Sequence, residues 1–489
     1  MVCNEYASDE GVEYASPDEI VECFLLPNDP YYWTSGTWGQ PYDDLWGLKK
    51  VRCAEAWDLS AGSGVTIAVT DTGVWYRLAT GNPYHDGHPD IKPNMWINWF
   101  EYEGPPYYAH RQYDDDQNGY VDDVWGWNFV EAADEQHPDP PYSDPEDSAD
   151  TDPMDFMGHG THVAGTTSAV GNNGIGVIGV APYSRVMNVK CFNRKGLGLL
   201  SWGAEAIEYA AGNGAAPVFR YTPAALKRTI TVAASDHEDV RAAFSNFGVL
   251  LDVAAPGGDA RSDPPETPPE QHHHWGSDVL SLRSTNTDMC CRLQRCGKCI
   301  IHPPGALYGL YRANGTSMAC PHVAGAAALV LQVMPYLNPE GVRQAIRRGA
   351  VDLGDPGFDQ YYGFGRLDAR AALDEAYNYP CGALLLQPSD QTFYFLGRGE
   401  EINVYGIADG AYMSYWEVCY AKLYDQSTWI PVASDDYPKA WPQGAYLCSI
   451  PVDGMSGQAW YLIRLTVHGY YGSWRTYYDY VSVNVAWPK

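Results

Sequence analysis

The chain has 489 residues, room for two or three domains, and its 45% apolar and 13% aromatic content is far too rich in packing material for a disordered acidic polypeptide. Its 31 Lys and Arg against 61 Asp and Glu leave a net charge of −30, a field that repels phosphate backbones and anionic membranes and excludes nucleic-acid binding as a first reading. The longest apolar stretch, Val323 to Met334, contains Gln332 and falls short of the roughly 18 to 20 residues that cross a bilayer, so no membrane span is expected. The opening MVCNEYASDEGVEYASPDEI carries acids where an export signal needs a positive start and an apolar run. The 12 cysteines show neither a repeated metal-ligand spacing nor the density of a disulfide scaffold.

In chain order, GVTIAVTDTG (64–73) reads as a buried strand, residues 101–156 as an acidic loop rich in Pro and Tyr, and HGTHVAGTTSAV (159–170) as a helix. RVMNVKCF (185–192) is a strand and SWGAEAIEYAA (201–211) a helix; RTITVAAS (228–235), VLLDVAAPG (249–257) and DVLSLRS (278–284) are further strands. A polar Pro-rich insert (258–277) and a second insert holding CCRLQRCGKC (286–313) interrupt them, and the helices SMACPHVAGAAALVLQVM (317–334) and NPEGVRQAIRRGA (338–350) follow. Strands of continuous apolar character alternating with helices predict an α/β domain over 44–378, a parallel sheet covered on both faces. After Asp374 the texture turns to Tyr- and Trp-rich alternation, which predicts an antiparallel β-sandwich over 385–489 that folds on its own and leaves the α/β domain intact when removed.

Three segments supply an acid, a base and a nucleophile at the edges of these elements. Asp71 closes the strand VTIAVT, His159 opens the helix HGTHVAG, and Ser317 opens the helix of GTSMACPHVAG, where the helix dipole and a backbone N–H favour an oxyanion. Gly160, Ala164 and Gly165 let the first of these helices pack closely, while His162 and His322, inside the helices, read as packed residues. The sequence here resembles the subtilisin-like serine proteases, the subtilases, through VTDTGV (69–74), HPDI (88–91), GHGTHVAGT (158–166), ITVAAS (230–235), SNFG (245–248), VAAPG (253–257), NGTSMACPHVAGAAAL (314–329) and GFGRLDARAAL (363–373). The resemblance spans about Asp44 to Ala376. It implies a subtilisin-like parallel sheet flanked by helices and a secreted serine endopeptidase acting on protein or peptide substrates, with Asp71, His159 and Ser317 as its triad. It also implies that VEYASPDEIVE (12–22), within residues 1–30, is the remnant of a propeptide.

The loop YDDDQNGYVDD (113–123) places oxygen donors at alternate positions of a calcium loop: Asp114, Asp116, Asn118, the Tyr120 carbonyl and Asp122, with Gly119 at the sharp turn. The bidentate Glu of such loops is absent, since Trp125 stands there, and Asp123 is the candidate replacement. Structural calcium is the cofactor expected. His272, His273 and His274 lie in a Pro-rich insert without a carboxylate partner and read as solvated loop, and Cys290, Cys291, Cys296 and Cys299 fit paired zinc spacing badly.

The stretch near 195–222 departs from the resemblance, being too short for the strand, helix and strand that line a subtilase cleft. Asn213 in AAGNG reads either as the oxyanion-hole asparagine or as the cap of the preceding helix. Two functions therefore stand: an endopeptidase, and a catalytically impaired protein of the same fold whose acidic loop and aromatic C-terminal domain bind a surface, a glycan or a partner.

Overall fold

The computed structural model describes residues 26–76, 87–101, 114–131, 149–210, 229–259, 277–284, 300–301, 303, 308–389, 392–395, 399–439, 445–455 and 459–486. The β-branched run after Gly64 becomes β1 (Thr66–Asp71), which pairs in parallel with β3 (Arg185–Lys190) from Thr66 opposite Arg185 to Asp71 opposite Lys190. On the far side of β3 lies β2 (Gly126–Asn128), inside the stretch expected to be loop; three residues are too few for periodicity to register. A second parallel pair joins β4 (Val232–Ser235) to β5 (Val253–Pro256). β6 (Val279–Leu282), read as one more parallel strand, instead pairs antiparallel with β8 (Leu310–Ala313), which also takes β7 (Ile300–Ile301). An antiparallel pair needs no crossover helix, and no described helix separates β6 from β8.

Short helices α1 (Trp46–Lys50) and α2 (Cys53–Trp57) precede this sheet, and α3 (His159–Ser168), α4 (Leu200–Ala210), α5 (Thr316–Val333), α6 (Pro339–Gly349) and α7 (Ala369–Ala376) pack around it. α5 is the axle: its 18 residues have a mean hydropathy of 1.3, the length and apolarity of a short membrane span, yet Met318, Val323, Ala326, Leu329 and Val330 are buried in the protein core. α3 lies close over β1 because Gly160 has no side chain; a Cβ there would strike the Gly73 carbonyl. α6 starts where Asn338 accepts from the Gly341 N–H at 2.7 Å with Pro339 in its first turn, a strong N-cap.

The C-terminal region forms two sheets. β10 (Thr392–Phe395), β16 (Ser473–Ala486), β15 (Ala459–Tyr471), β12 (Met413–Lys422) and β13 (Asp425–Asp435) make one, and β14 (Ala445–Pro451), β11 (Glu401–Asp409) and β9 (Gly382–Gln387) the other. Every pairing is antiparallel except β10 with β16, and the first strand starts at Gly382, three residues ahead of 385. Their inner faces meet in a core of its own, with Ile402, Val404, Val418, Ile463, Leu465 and Val483 among its members. That core is separate from the one built on α5.

Candidate active site

β1 ends at Asp71 with its carboxylate turned toward the first residue of α3. His159 Nδ1 lies 2.8 Å from both Asp71 oxygens, and the Thr72 N–H donates to Asp71 Oδ1 at 2.7 Å. A carboxylate accepts only, so Nδ1 carries the proton and Nε2 keeps its lone pair for another hydrogen. Burial pulls the imidazole pKa down, but the charge and hydrogen bond of Asp71, helped by the charge of Asp155, outweigh it and raise it above 6.5.

Two residues that periodicity did not single out hold this pair in register. Asp155 is fully buried and accepts from the N–H groups of Met157, Gly158 and Thr161 and from the hydroxyls of Thr161 and Thr72, at 2.6 to 3.0 Å. Thr72 Oγ1 in turn accepts the Gly160 N–H at 2.9 Å. The turn after Asp71 is thus bonded to the first turn of α3, and Asp71 and His159 move together. An Asp three residues before Gly158, where N–H groups lack helical partners, was the available signal.

Ser317 is the second residue of α5, half-buried, and lines the same cleft as Asp71 and His159, a cleft of about 610 Å³. Its walls are β1 through Ile67 and Val69 and the entry to β4 through Thr229 to Val232. Among the described residues β1 pairs only with β3 and β4 only with β5, and the cleft is bordered by both pairs. His162 and His322 are packed: His162 Nε2 is 3.1 Å from the carbonyls of Val279 and Tyr311, His322 Nδ1 is 2.9 Å from the Met318 carbonyl, and burial depresses their pKa values to about 3 and about 4. Asn213 lies outside the described residues, as do His272, His273, His274, Cys290, Cys291, Cys296 and Cys299.

In the acidic loop, Asp114 accepts the N–H groups of Asn118 and Gly119 at 3.0 and 2.7 Å, and Asn118 donates through Nδ2 to Asp116 and Asp123 at 3.1 and 3.0 Å. Gly119 takes φ +95°, the sharp turn expected of it. Asp123 is buried and also accepts from Asn98 at 2.7 Å. Tyr120 packs its ring against Trp127 and Phe129, while Asp122 donates its N–H to Glu101 at 3.2 Å. Glu101 is the residue the sequence did not single out: buried, it accepts the N–H groups of Asp115 and Asp116 at 2.7 and 3.1 Å. Carboxylate oxygens of Glu101, Asp114 and Asp116 lie within 4.8 Å of one another. Burial, with the charge of Asp123, raises the Glu101 pKa despite these N–H groups, which lower it. The donors are all hard oxygens on adjacent carboxylates, a set that fits calcium.

One cleft thus brings together a carboxylate, an imidazole bonded to it and a hydroxyl, the kinds of side chain that serine hydrolases use. The subtilase family profile matches residues 62–220 and 206–365, together well over half of the chain, and the chain belongs to the subtilase family of serine-type endopeptidases. It is 29% identical over 400 residues to a thermophilic serine proteinase of Bacillus sp. strain AK1, covering 74% of this chain and 73% of that protein. Thermitase of Thermoactinomyces vulgaris is 28% identical, with 71% of this chain and 99% of thermitase covered. An extracellular protease of Xanthomonas campestris pv. campestris is 28% identical over 84% of this chain and 67% of its own length.

Proposed function

We propose that the chain hydrolyses peptide bonds of proteins through an acyl-enzyme in which Ser317 is the nucleophile, His159 the general base and then acid, and Asp71 the residue that holds and stabilises the imidazole. His159 Nε2 takes the Ser317 proton as Oγ attacks the scissile carbonyl; the tetrahedral adduct collapses when the imidazolium returns that proton to the leaving amine, and water reverses the sequence. The Ser317 N–H at the start of α5 and, by its sequence context, Asn213 are the proposed oxyanion donors. The observation that carries this reading is the 2.8 Å Asp71–His159 bond at the mouth of the cleft that Ser317 lines. A fluorophosphonate probe tests it: rapid labelling, lost in Ser317→Ala, is expected, and an unlabelled wild type would refute it.

Labelling needs a neutral imidazole, so with the His159 pKa raised the rate climbs as pH rises through that value, from 6.5 upward. Asp71→Asn removes the largest upward cause and should move the inflection to lower pH; an inflection that stays put would show that Asp71 does not set it.

We further propose that Glu101, Asp114, Asp116, Asn118, the Tyr120 carbonyl, Asp122 and Asp123 hold a structural calcium, whose charge relieves the repulsion among these carboxylates. EDTA is expected to lower the melting temperature by several degrees, about 1 to 2 kcal/mol of linkage, and Asp116→Ala or Glu101→Gln to abolish that response. An unchanged melting curve in EDTA would leave the loop a solvated acidic face. Secretion and protein or peptide substrates complete the proposal, in line with the extracellular protease relative.

The impaired alternative, a binding protein for a surface, glycan or partner, draws on one observation. The family profile matches in two pieces that overlap at 206–220, as though the pattern were shortened there. Labelling without peptide turnover is its signature.

A further inference from the structure

The C-terminal β domain meets the α/β domain through a buried cluster of charges. α6 presents Arg343 and Arg347, one turn apart with side chains 5% and 4% exposed, to carboxylates from two directions: Asp252, just before β5, and Asp479, in β16. Arg347 donates through Nε to Asp252 Oδ1 at 2.6 Å, through Nη1 to the Tyr478 carbonyl at 2.6 Å and through Nη2 to Asp479 Oδ1 at 3.3 Å. Arg343 lies 3.5 Å from Asp252 and 3.6 Å from Asp479, and bonds Glu340 at 2.7 and 3.1 Å. Phe364 lies 4.7 Å under the Arg347 guanidinium, and Phe358 stacks on Tyr480 of β16 at 4.6 Å.

The remaining oxygens of the two carboxylates show what the cluster connects. Asp479 Oδ2 accepts the Leu385 N–H of β9 at 2.7 Å, and Asp252 Oδ2 accepts the Thr231 N–H at 2.6 Å. Thr231 lines the catalytic cleft at the entry to β4. A continuous series of bonds therefore runs from the β domain, through Asp479, Arg347 and Asp252, to the cleft wall. A buried guanidinium keeps its geometry only while its partners stay in place. Arg347 is thus shared between Asp479 and Asp252, and Asp252 is bonded to Thr231 both through its carboxylate and through its own N–H, which donates to the Thr231 carbonyl at 2.9 Å.

We propose that the β domain is a working part of the catalytic unit: Asp479 and Arg347 are positioning residues that, through Asp252, fix Thr231 and with it the wall against which an extended peptide substrate lies. This rests on the reading of the cleft as an active site. The β domain has an apolar core of its own, and the charge cluster is what joins it to the cleft wall.

The test uses full-length Asp479→Asn, Arg347→Met and Arg347→Lys. Two probes of Ser317 separate the roles: a small alkyl fluorophosphonate reads Asp71, His159 and Ser317 alone, whereas a peptidyl phosphonate also needs the wall. Asp479→Asn and Arg347→Met are expected to slow the peptidyl probe about tenfold or more, with the small probe within about twofold and partial recovery in Arg347→Lys. Amide exchange over 229–235 should accelerate about tenfold while that over 185–190 holds. Equal loss with both probes together with faster exchange everywhere would reduce the cluster to global stability and overturn the proposal, as would no change in either measurement. Should wild type take neither probe, the serine hydrolase reading fails by itself, and exchange over 229–235 still decides whether the β domain holds Thr231.

Discussion

Replacing Asp71 with Asn is expected to slow fluorophosphonate labelling of Ser317 by about 10⁴-fold near neutral pH. The expectation follows from the proton on His159. Both Asp71 oxygens lie 2.8 Å from Nδ1, so in the wild type this proton is fixed on Nδ1 and Nε2 is the base. An Asn amide turned to keep the Thr72 N–H bond presents an N–H₂ to the ring, favours the tautomer with its proton on Nε2 and leaves Ser317 without an acceptor. Because Thr72, Gly160 and Asp155 tie the strand end to α3 independently of Asp71, the variant should fold normally. Measured second-order labelling constants for wild type, Asp71→Asn and Ser317→Ala decide the matter. A decrease of less than tenfold in Asp71→Asn would mean that His159 is oriented by something other than the carboxylate.

What the sequence made legible was whatever chemistry is local. Asp71, His159 and Ser317 each sit at an element boundary marked by glycine or a turn, and the structure places them on one cleft at those boundaries. Gly119 could be assigned its turn because φ +95° is a demand that few other residues meet. The strands of the parallel sheets were visible because burial on both faces leaves an apolar run. β6 has the same texture, and only its partner β8, beyond an insert, makes it antiparallel.

Other features depend on which distant residue arrives as a neighbour, and composition does not carry that. Glu101 is one acid in an acidic stretch until the chain folds back and three of its neighbours' N–H groups point at it. Asp155 is similarly inconspicuous until α3 offers it unpaired N–H groups. Charges on a helix usually face solvent, and nothing in RQAIRR marks α6 as different. Instead Arg343, Gln344 and Arg347 are buried against β9 and β16, with Gln344 donating to the carbonyls of Ala383 and Tyr478 at 3.2 and 3.1 Å. The antiparallel sheets of the C-terminal region were readable from their alternation; their polar attachment was not, because that attachment belongs to neither alternation nor apolar content.

The stretch near 195–222, proposed above to be shortened, carries the other large expected effect. The two stretches that match the subtilase family overlap at residues 206–220. Described strands β1 and β4 border the same cleft without pairing with each other, and strands of one sheet lie about 4.8 Å apart. A peptide substrate held in such a cleft needs a strand edge to pair with and a donor at the oxyanion, and both come from this part of the chain in the subtilase pattern proposed for it. Ser317 is therefore expected to react rapidly with a small phosphonate while casein is hydrolysed, but slowly. Grafting a family-like strand, helix and strand into 195–222 should raise casein turnover by about a hundredfold or more, since one oxyanion donor alone is worth about 10²- to 10³-fold and substrate alignment adds to it. The graft should leave the small-probe rate nearly unchanged, because Asp71, His159 and Ser317 are held by β1, α3 and α5, all outside it. Robust casein hydrolysis by the ungrafted chain, abolished in Ser317→Ala, would overturn this expectation and show that Asn213 and the existing walls already complete the site.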